Sequence, residues 1–295
     1  MRILILGGNG MIGHKMYQIL NDHFEDTWVL IRKNLANLKF KKIYNHSRTI
    51  DGVDVSDFCN FKRVLDKINP DIIINAIGIT IRRGIQDSIS KSIKVNAAFP
   101  HFLEEWINGK DGKRLIHFST DCVFSGSSGS YREESYTDAR DYYGRTKALG
   151  EVSGPQSLTL RGSMIGRELE NHTELLEWFI AQKNKNIKGF DKVIYSGITT
   201  TQMAEFVKKI VIDFPKLSGL YNVSSLPISK YKLLQLFNKS FDINAIIALD
   251  QDYSSRKDLM SDKFYSETGF IIPKWEDLAL QLKNDSLKYS NFYKF

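Results

Sequence analysis

Arg2-Ile3-Leu4-Ile5-Leu6-Gly7-Gly8-Asn9-Gly10-Met11-Ile12-Gly13 is the stretch on which the fold of this chain turns. An unbroken apolar run such as Ile3 to Leu6 suits a strand buried on both faces, and it stops at glycines. These fall as Gly7-x-x-Gly10-x-x-Gly13, overlapping Gly8-x-Gly10-x-x-Gly13, and behind them Ile12, Met16, Ile19, Leu20 and His23 keep the spacing of a helix face. Strand, glycine turn and helix in that order are the context a dinucleotide fingerprint requires. Glycine lets the backbone turn sharply and approach a pyrophosphate, whose charge is favoured by free N–H groups at the positive end of the helix. The plain alternative is a glycine-rich turn with no ligand.

Outward from this turn, short apolar runs at 2–6, 27–31, 50–53, 71–76, 115–119 and 157–161 alternate with helical periodicity, as in Phe58, Phe61, Val64, Leu65 and Ile68. Buried strands joined by right-handed helical crossovers make a doubly wound sheet. The expected class is α/β, a Rossmann doubly wound parallel sheet over residues 1–165 that binds NADP. After Arg161 the pattern loosens into helices at 175–183, 202–213 and 229–239, broken by Gly189, Gly197, Pro215 and Pro227. Residues 166–295 are therefore expected to form a smaller C-terminal α+β substrate lobe, interlocked with the first by returning segments.

Composition narrows the function. With 295 residues, 42% hydrophobic and 25% charged, the chain buries a large core, which excludes disordered and collagen-like classes. The net charge of +7 is not clustered, since Lys41-Lys42, Arg82-Arg83 and Lys208-Lys209 lie far apart. Such an excess suits small anionic ligands, and no nucleic-acid partner is expected. Two cysteines, Cys59 and Cys122, indicate neither a disulfide framework nor a thiolate metal site, so a reducing, cytoplasmic setting is expected. No apolar run nears the roughly 18 residues of a membrane span, and no signal-peptide pattern is present. The histidines (His14, His23, His46, His101, His117, His172) show no ligand spacing, so no metal is expected. His117, inside a strand, reads as a packing residue.

The second strand ends in Ile31-Arg32-Lys33, where an NAD protein carries an acidic residue for the ribose. A guanidinium there suits the 2′-phosphate of NADP, which predicts preference for NADP(H) carried by Arg32 and assisted by Lys33, with NAD(H) still open. Two solvated basic residues are the bland reading. Tyr143 and Lys147 stand four apart in Tyr143-Gly144-Arg145-Thr146-Lys147, on one helix face. A tyrosine is a poor acid or base near neutrality, and an adjacent ammonium is expected to lower its pKa into the working range. Thr120, closing the fifth strand, offers a hydroxyl for a substrate carbonyl.

With these residues in place the sequence resembles the extended short-chain dehydrogenase/reductase family, and within it the dTDP-4-dehydrorhamnose reductase group. The resemblance rests on the glycine turn, Asp54-Val55, Asn75-Ala76, Asn96, Ser119-Thr120-Asp121-Cys122-Val123-Phe124-Ser125-Gly126, Tyr143-Gly144-Arg145-Thr146-Lys147 with Gly150-Glu151, and Arg161-Gly162-Ser163. Gly197-Ile198-Thr199-Thr200 and Arg256-Lys257-Asp258-Leu259 match loosely where such reductases close over a sugar nucleotide. It implies that NADPH reduces C4 of a nucleotide-linked 4-keto-6-deoxy sugar, with Thr120 on the keto oxygen, Tyr143 as proton donor and Lys147 on the nicotinamide ribose. Cofactor contacts are implied at Gly7, Gly10, Met11, Ile12, Gly13, Arg32, Asp54, Val55, Asn75, Ala76, Ile77 and Gly78, with Asn96 structural or part of a proton relay. Substrate contacts are implied at Thr80, Asp121, Cys122, Met164, Thr199 and Arg256.

Two departures leave base and sugar open: Cys122 stands where the reductases usually carry Tyr, and Met164 where they carry Trp. Arg82-Arg83 replaces a less basic stretch. Dehydratases of this scaffold carry a Glu after the Asp; here Cys122 follows Asp121. A combined epimerase/reductase resembling GDP-L-fucose synthase, using Cys122 and His172 on the carbons flanking the ketone, is one alternative. From another class comes a non-catalytic NADP-binding regulatory subunit. A homodimer stays open.

Overall fold

The computed structural model describes residues 1–80 and 88–293. The first half alternates strand and helix: β1 (Ile3–Leu6), α1 (Met11–Asn21), β2 (Thr27–Leu30), β3 (Thr49–Ile50), α2 (Phe58–Ile68), β4 (Ile72–Asn75), α3 (Ile89–Ser92), α4 (Phe99–Ile107), β5 (Arg114–Ser119), α5 (Tyr142–Leu149) and β6 (Ser157–Arg161). The second half is more broken: β7 (Met164–Ile165), α6 (Leu175–Ile180), β8 (Asn186–Phe190), β9 (Val193–Tyr195), β10 (Ile198–Thr199), α7 (Thr200–Asp213), β11 (Gly219–Asn222), β12 (Ile228–Ser229), α8 (Lys230–Ser240), β13 (Ile246–Asp250), β14 (Ser255–Arg256), α9 (Asp262–Thr268) and α10 (Trp275–Lys288).

Seven strands form one parallel sheet in the order β11-β6-β5-β4-β1-β2-β3. Its side chains alternate between two cores. Ile3, Ile5, Ile72, Ile74, Ile116 and Phe118 meet Met16 and Leu20 of α1 and Met203, Val207 and Ile210 of α7. Leu4, Leu6, Ile73 and Leu115 meet Phe61 and Leu65 of α2 and Phe99 and Leu103 of α4 on the other face. Both faces are covered, which is why each strand reads as a continuous apolar run rather than as an alternation. Each such buried Leu, Ile or Phe contributes about 1.5–3 kcal/mol.

The chain beyond Ile165 does not stay apart from this sheet. β11 pairs in parallel with β6, with Tyr221 beside Leu160, and α7 packs on α1. A separate core gathers Leu176, Phe179, Leu233, Leu234, Phe237, Trp275, Leu278 and Leu282 from α6, α8 and α10. Between α1 and α10, Lys15, 1% exposed, reaches Asp285 at 2.6 Å.

A π-helical turn at Ile93–Ala98 precedes α4, whose first turn holds Pro100. Proline has no N–H to give the preceding turn, and a widened turn is one way to accommodate that. Among the described residues no helix is long and apolar enough to cross a membrane.

Candidate functional site

The carboxyl ends of β1, β2 and β4 open onto a cavity of about 590 Å³. In a parallel sheet this edge is where helix N-termini and loops converge on a ligand. Gly7, Asn9 and Gly10 line it from the first turn, Arg32 and Lys33 from the end of β2, Val53, Asp54 and Val55 after β3, and Ala76, Ile77, Gly78 and Ile79 after β4. Gly7 holds φ +87°, a conformation that L side chains rarely adopt, and a Cβ on Gly13 would stand 2.1 Å from the Gly7 carbonyl oxygen. The absence of both side chains brings α1 hard against the turn. Its N-cap Gly10 offers no side chain, so N–H groups of the first turn face the cleft unsatisfied by a cap. Both amide atoms of Asn9 are buried and find no partner among the described residues. A buried unpaired amide is costly, and a ligand oxygen would satisfy it. These residues fit a dinucleotide. Gly13→Ala is expected to weaken cofactor binding at least tenfold in a fluorescence titration, because the backbone must shift to clear the new methyl.

The implied cofactor residues divide into two groups. Arg32 and Asp54 are exposed and line the cavity, and the buried Val55 lines it with them. Asp54 accepts from Ser56 and pairs with Lys91 at 3.1 Å, interactions that hold its carboxyl below the usual range, the Ser56 backbone N–H foremost. Lys33, expected to assist Arg32, lines the cavity and also pairs with Glu170 at 2.6 Å. Met11 and Ile12 sit in the first turn of α1, and Ile12 packs toward the core rather than the cleft.

Asn75 and Asn96 stand behind the cleft wall. Asn75 is fully buried behind the cleft, accepting from the Ile77 N–H at 3.1 Å and facing His117 at 3.1 Å. Asn96 accepts from the Ile79 N–H at 2.8 Å and donates to the Ile79 carbonyl at 2.9 Å and to Thr146 at 3.1 Å. Both amides are spent on shaping the 76–79 segment, so they position the cleft wall and do not reach into it.

Thr120 and Tyr143 meet across the end of β5. Asp141 caps α5 by accepting from the Gly144 N–H at 2.9 Å, and a Cβ on Gly144 would lie 2.1 Å from the Cys122 carbonyl oxygen. Only glycine lets α5 close on the turn after β5, which brings the Tyr143 hydroxyl to the Thr120 side chain. Thr120 also accepts from the Cys122 N–H and donates to Asp121, each at 3.2 Å. Burial raises the pKa of Tyr143 above its ordinary value, and Cys122 and Asp121 add to the rise. Lys147, on the same helix, turns back to β5. Its Nζ points the other way, donating to the Phe118 carbonyl at 2.6 Å and standing 3.4 Å from Nε2 of His117. Burial brings the Lys147 ammonium down to about 8 against a raising contribution from Glu151.

On the substrate side, Asp121 is buried beside Thr120, and burial raises its pKa. Burial pushes the Cys122 thiol up to about 12, and the neighbouring Asp121 adds to that. The Thr80 hydroxyl is buried without a partner among the described residues. Met164 pairs with Ile198 between β7 and β10. Arg256, about half exposed, pairs with Asp258 at 3.3 Å, and its N–H reaches the Gly126 carbonyl at 2.7 Å. Thr199 is fully buried, accepts from the Gln202 N–H at 3.1 Å and donates to Gln281 at 2.9 Å. It caps α7. His172 has positive φ, 52°, and its Nδ1 lies 3.3 Å from Glu177. Arg82-Arg83 lies outside the described residues. Among the described residues no group of His, Cys, Asp and Glu could hold a metal.

The family model described as RmlD substrate binding domain matches residues 1–244. The chain belongs to this family. A dTDP-4-dehydrorhamnose reductase of Aggregatibacter actinomycetemcomitans is 26% identical over 236 residues, covering 77% of this chain and 74% of the relative. Methionine adenosyltransferase 2 subunit beta of Xenopus tropicalis is 25% identical over 263 residues, covering 82% and 72%. Among solved structures, a dTDP-4-dehydrorhamnose reductase of Bacillus anthracis in complex with NADP superposes with TM-score 0.78 at 19% identity, over 97% of this chain and 99% of the other.

In this member of the family several site residues escaped sequence reasoning. Glu170, Asn171 and Thr173 line the cleft from a loop that crosses over from the far half of the chain. Lys257 faces Asp121 and Cys122, opposing the rise in both. Lys257 stood in plain view within a loosely matching stretch. For the 170–173 loop no sequence signal was available, because its reach depends on the turn through Asn171 and His172, both at positive φ.

Proposed function

We propose that the protein is an NADPH-dependent reductase of the C4 ketone of a nucleotide-diphospho-4-keto-6-deoxy sugar. The observation that carries this reading is the closeness of Tyr143 to Thr120 at the end of β5, with Lys147 on the same helix, beside a glycine-lined cleft. Gly7, Gly10, Arg32 and Asp54 would hold NADPH, which when bound would supply the hydride. Thr120 and Tyr143 hydrogen-bond the keto oxygen, and Tyr143 donates the proton as negative charge develops there. A raised pKa keeps Tyr143 protonated at neutrality, which is the state a proton donor must be in. Thr80 and Asp121 would meet the sugar, and Lys257 is placed to assist. By this reading residues 1–165 chiefly bind cofactor and 166–295 chiefly bind substrate, with α7 and β11 returning to the first.

The epimerase/reductase alternative needs Cys122 to take a proton from carbon. A thiol pushed up to about 12 is almost wholly protonated near neutrality, which counts against it. Solvent deuterium should therefore enter the product only at exchangeable hydroxyl positions, and label at C3 or C5 that is lost in Cys122→Ser would reverse this conclusion. The regulatory-subunit alternative draws on the adenosyltransferase subunit relative, and it gives no reason for Thr120, Tyr143 and Lys147 to stand together. NADPH oxidation with a panel of nucleotide 4-keto sugars separates the two.

Arg32 supplies the cofactor preference. Loss of a charged hydrogen bond worth about 1.5–3 kcal/mol predicts that Arg32→Ala raises the KM for NADPH tenfold or more and leaves that for NADH nearly unchanged. An equal effect on both cofactors would remove Arg32 from the role.

A further inference from the structure

His117 lies in the middle of β5, fully buried between the two amino-acid types that matter most for its protons, an amide and an amine. Its Nδ1 is 3.1 Å from Nδ2 of Asn75, and its Nε2 is 3.4 Å from Nζ of Lys147. The orientation of the Asn75 amide is fixed independently, because its oxygen accepts from the Ile77 N–H at 3.1 Å. The NH₂ group therefore faces Nδ1, and Nδ1 must accept. Burial holds the imidazole neutral, its pKa well below the ordinary value, with Lys147 and His101 acting in the same direction. A neutral imidazole that accepts at Nδ1 carries its proton on Nε2. That N–H is aimed at Nζ of Lys147. An ammonium has no lone pair to receive it, whereas an amine has one.

We propose that His117 is a positioning residue of the Tyr143/Lys147 site: as the Nε2–H tautomer it directs a donor at Lys147 and so favours the amine over the ammonium. The groups around Lys147 are consistent with this polarity. The Phe118 carbonyl at 2.6 Å accepts from either form of Nζ. Glu151 favours the ammonium, but it is itself bound bidentate by Arg161 at 2.9 and 2.7 Å and also accepts from Ser119, so its charge is largely engaged. Asn96 and Thr146, packed alongside, are neutral. Burial and the His117 donor thus act together against one opposing carboxylate.

The consequence bears on the proposed reaction, on which this role rests. After Tyr143 gives its proton to the substrate, its oxygen is a phenolate that must be reloaded. A lysine titrating near 8 is a stronger acid than one at the ordinary value of about 10.4. Because Nζ faces Phe118 and His117, the ammonium passes its proton to the phenolate through water, and with the pKa of Tyr143 raised that transfer is downhill. The amine left behind is the species that the His117 N–H can bond, and water restores its proton.

The test has one readout that needs no substrate. Nitrogen-15 NMR of the histidine-labelled protein is expected to show His117 neutral with its proton on Nε2; a proton on Nδ1, or on both nitrogens, overturns the proposal. If the protein does not reduce nucleotide sugars, the reductase reading fails while this measurement still decides the tautomer. The second readout is the pH profile of kcat/KM. His117→Leu removes the donor, so the alkaline limb should move up by about one pH unit, and His117→Gln, which can offer an amide N–H, should move it back. An unmoved limb in a folded His117→Leu protein overturns the proposal, and should that variant fail to fold, the NMR result on the unmodified chain decides alone.

Discussion

Tyr143→Phe is expected to lower kcat by about 10²–10⁴ and to leave the Kd for NADPH nearly unchanged. The substitution removes one oxygen and keeps the ring, so α5 and the close approach of Gly144 to the Cys122 carbonyl are undisturbed. What disappears is the proton donor that stands beside Thr120. The cleft residues Gly7, Gly10, Arg32 and Asp54 do not depend on that hydroxyl, which is why binding and turnover should separate. Stopped-flow hydride transfer together with equilibrium binding of NADPH measures both. A Tyr143→Phe protein that retains full turnover would remove Tyr143 from the chemistry.

The largest stability effect is expected at Arg161, at the end of β6. Its side chain is 3% exposed and forms two hydrogen bonds to Glu151, itself 10% exposed, with a third at 3.3 Å to Asn222 of β11. The guanidinium also lies 5.0 Å from the centre of the Phe124 ring. One residue thereby joins β6, β11, the turn after β5 and the end of α5. Arg161→Met fills similar space and leaves Glu151 as a buried carboxylate without its counter-charge, a change that costs about 3–5 kcal/mol. Urea denaturation should show a lower midpoint at unchanged slope. A loss under about 1 kcal/mol would mean that the pair behaves as a solvated surface bridge and that the burial described above is wrong.

The Rossmann half was legible because its strands are covered on both faces. Ile3 to Leu6 or Ile72 to Ile74 have no polar side to interrupt them, so their boundaries fall within a residue or two of 2–6 and 71–76. The seventh strand was not legible. Gly219-Leu220-Tyr221-Asn222 is short, begins with glycine and owes its place to pairing with β6, a contact distant in sequence. Likewise β7, β10, β12 and β14 are two residues each and have no periodicity to read. The α10 face of Trp275, Leu278, Ala279 and Leu282 had the spacing of a helix and could have been found.

At the site, residue types were readable and side-chain directions were not. Tyr143 and Lys147 share a helix face by spacing, yet one turns to Thr120 and the other to Phe118 and His117. Asn75, Asn96 and Thr199 carry polar groups that suit a ligand, but backbone N–H groups claimed them first. Lys33 lines the cleft and also pairs with an acid 137 positions away, a partner that its spacing could not announce.

The most direct measurement gives the purified protein NADPH carrying deuterium at the transferable position, together with a nucleotide-diphospho-4-keto-6-deoxy hexose, and examines the product by NMR. The account predicts stoichiometric NADPH oxidation and a 4-hydroxy sugar bearing deuterium at C4, with neither seen in Tyr143→Phe. Tight NADPH binding with no oxidation across the panel of 4-keto sugars would contradict it.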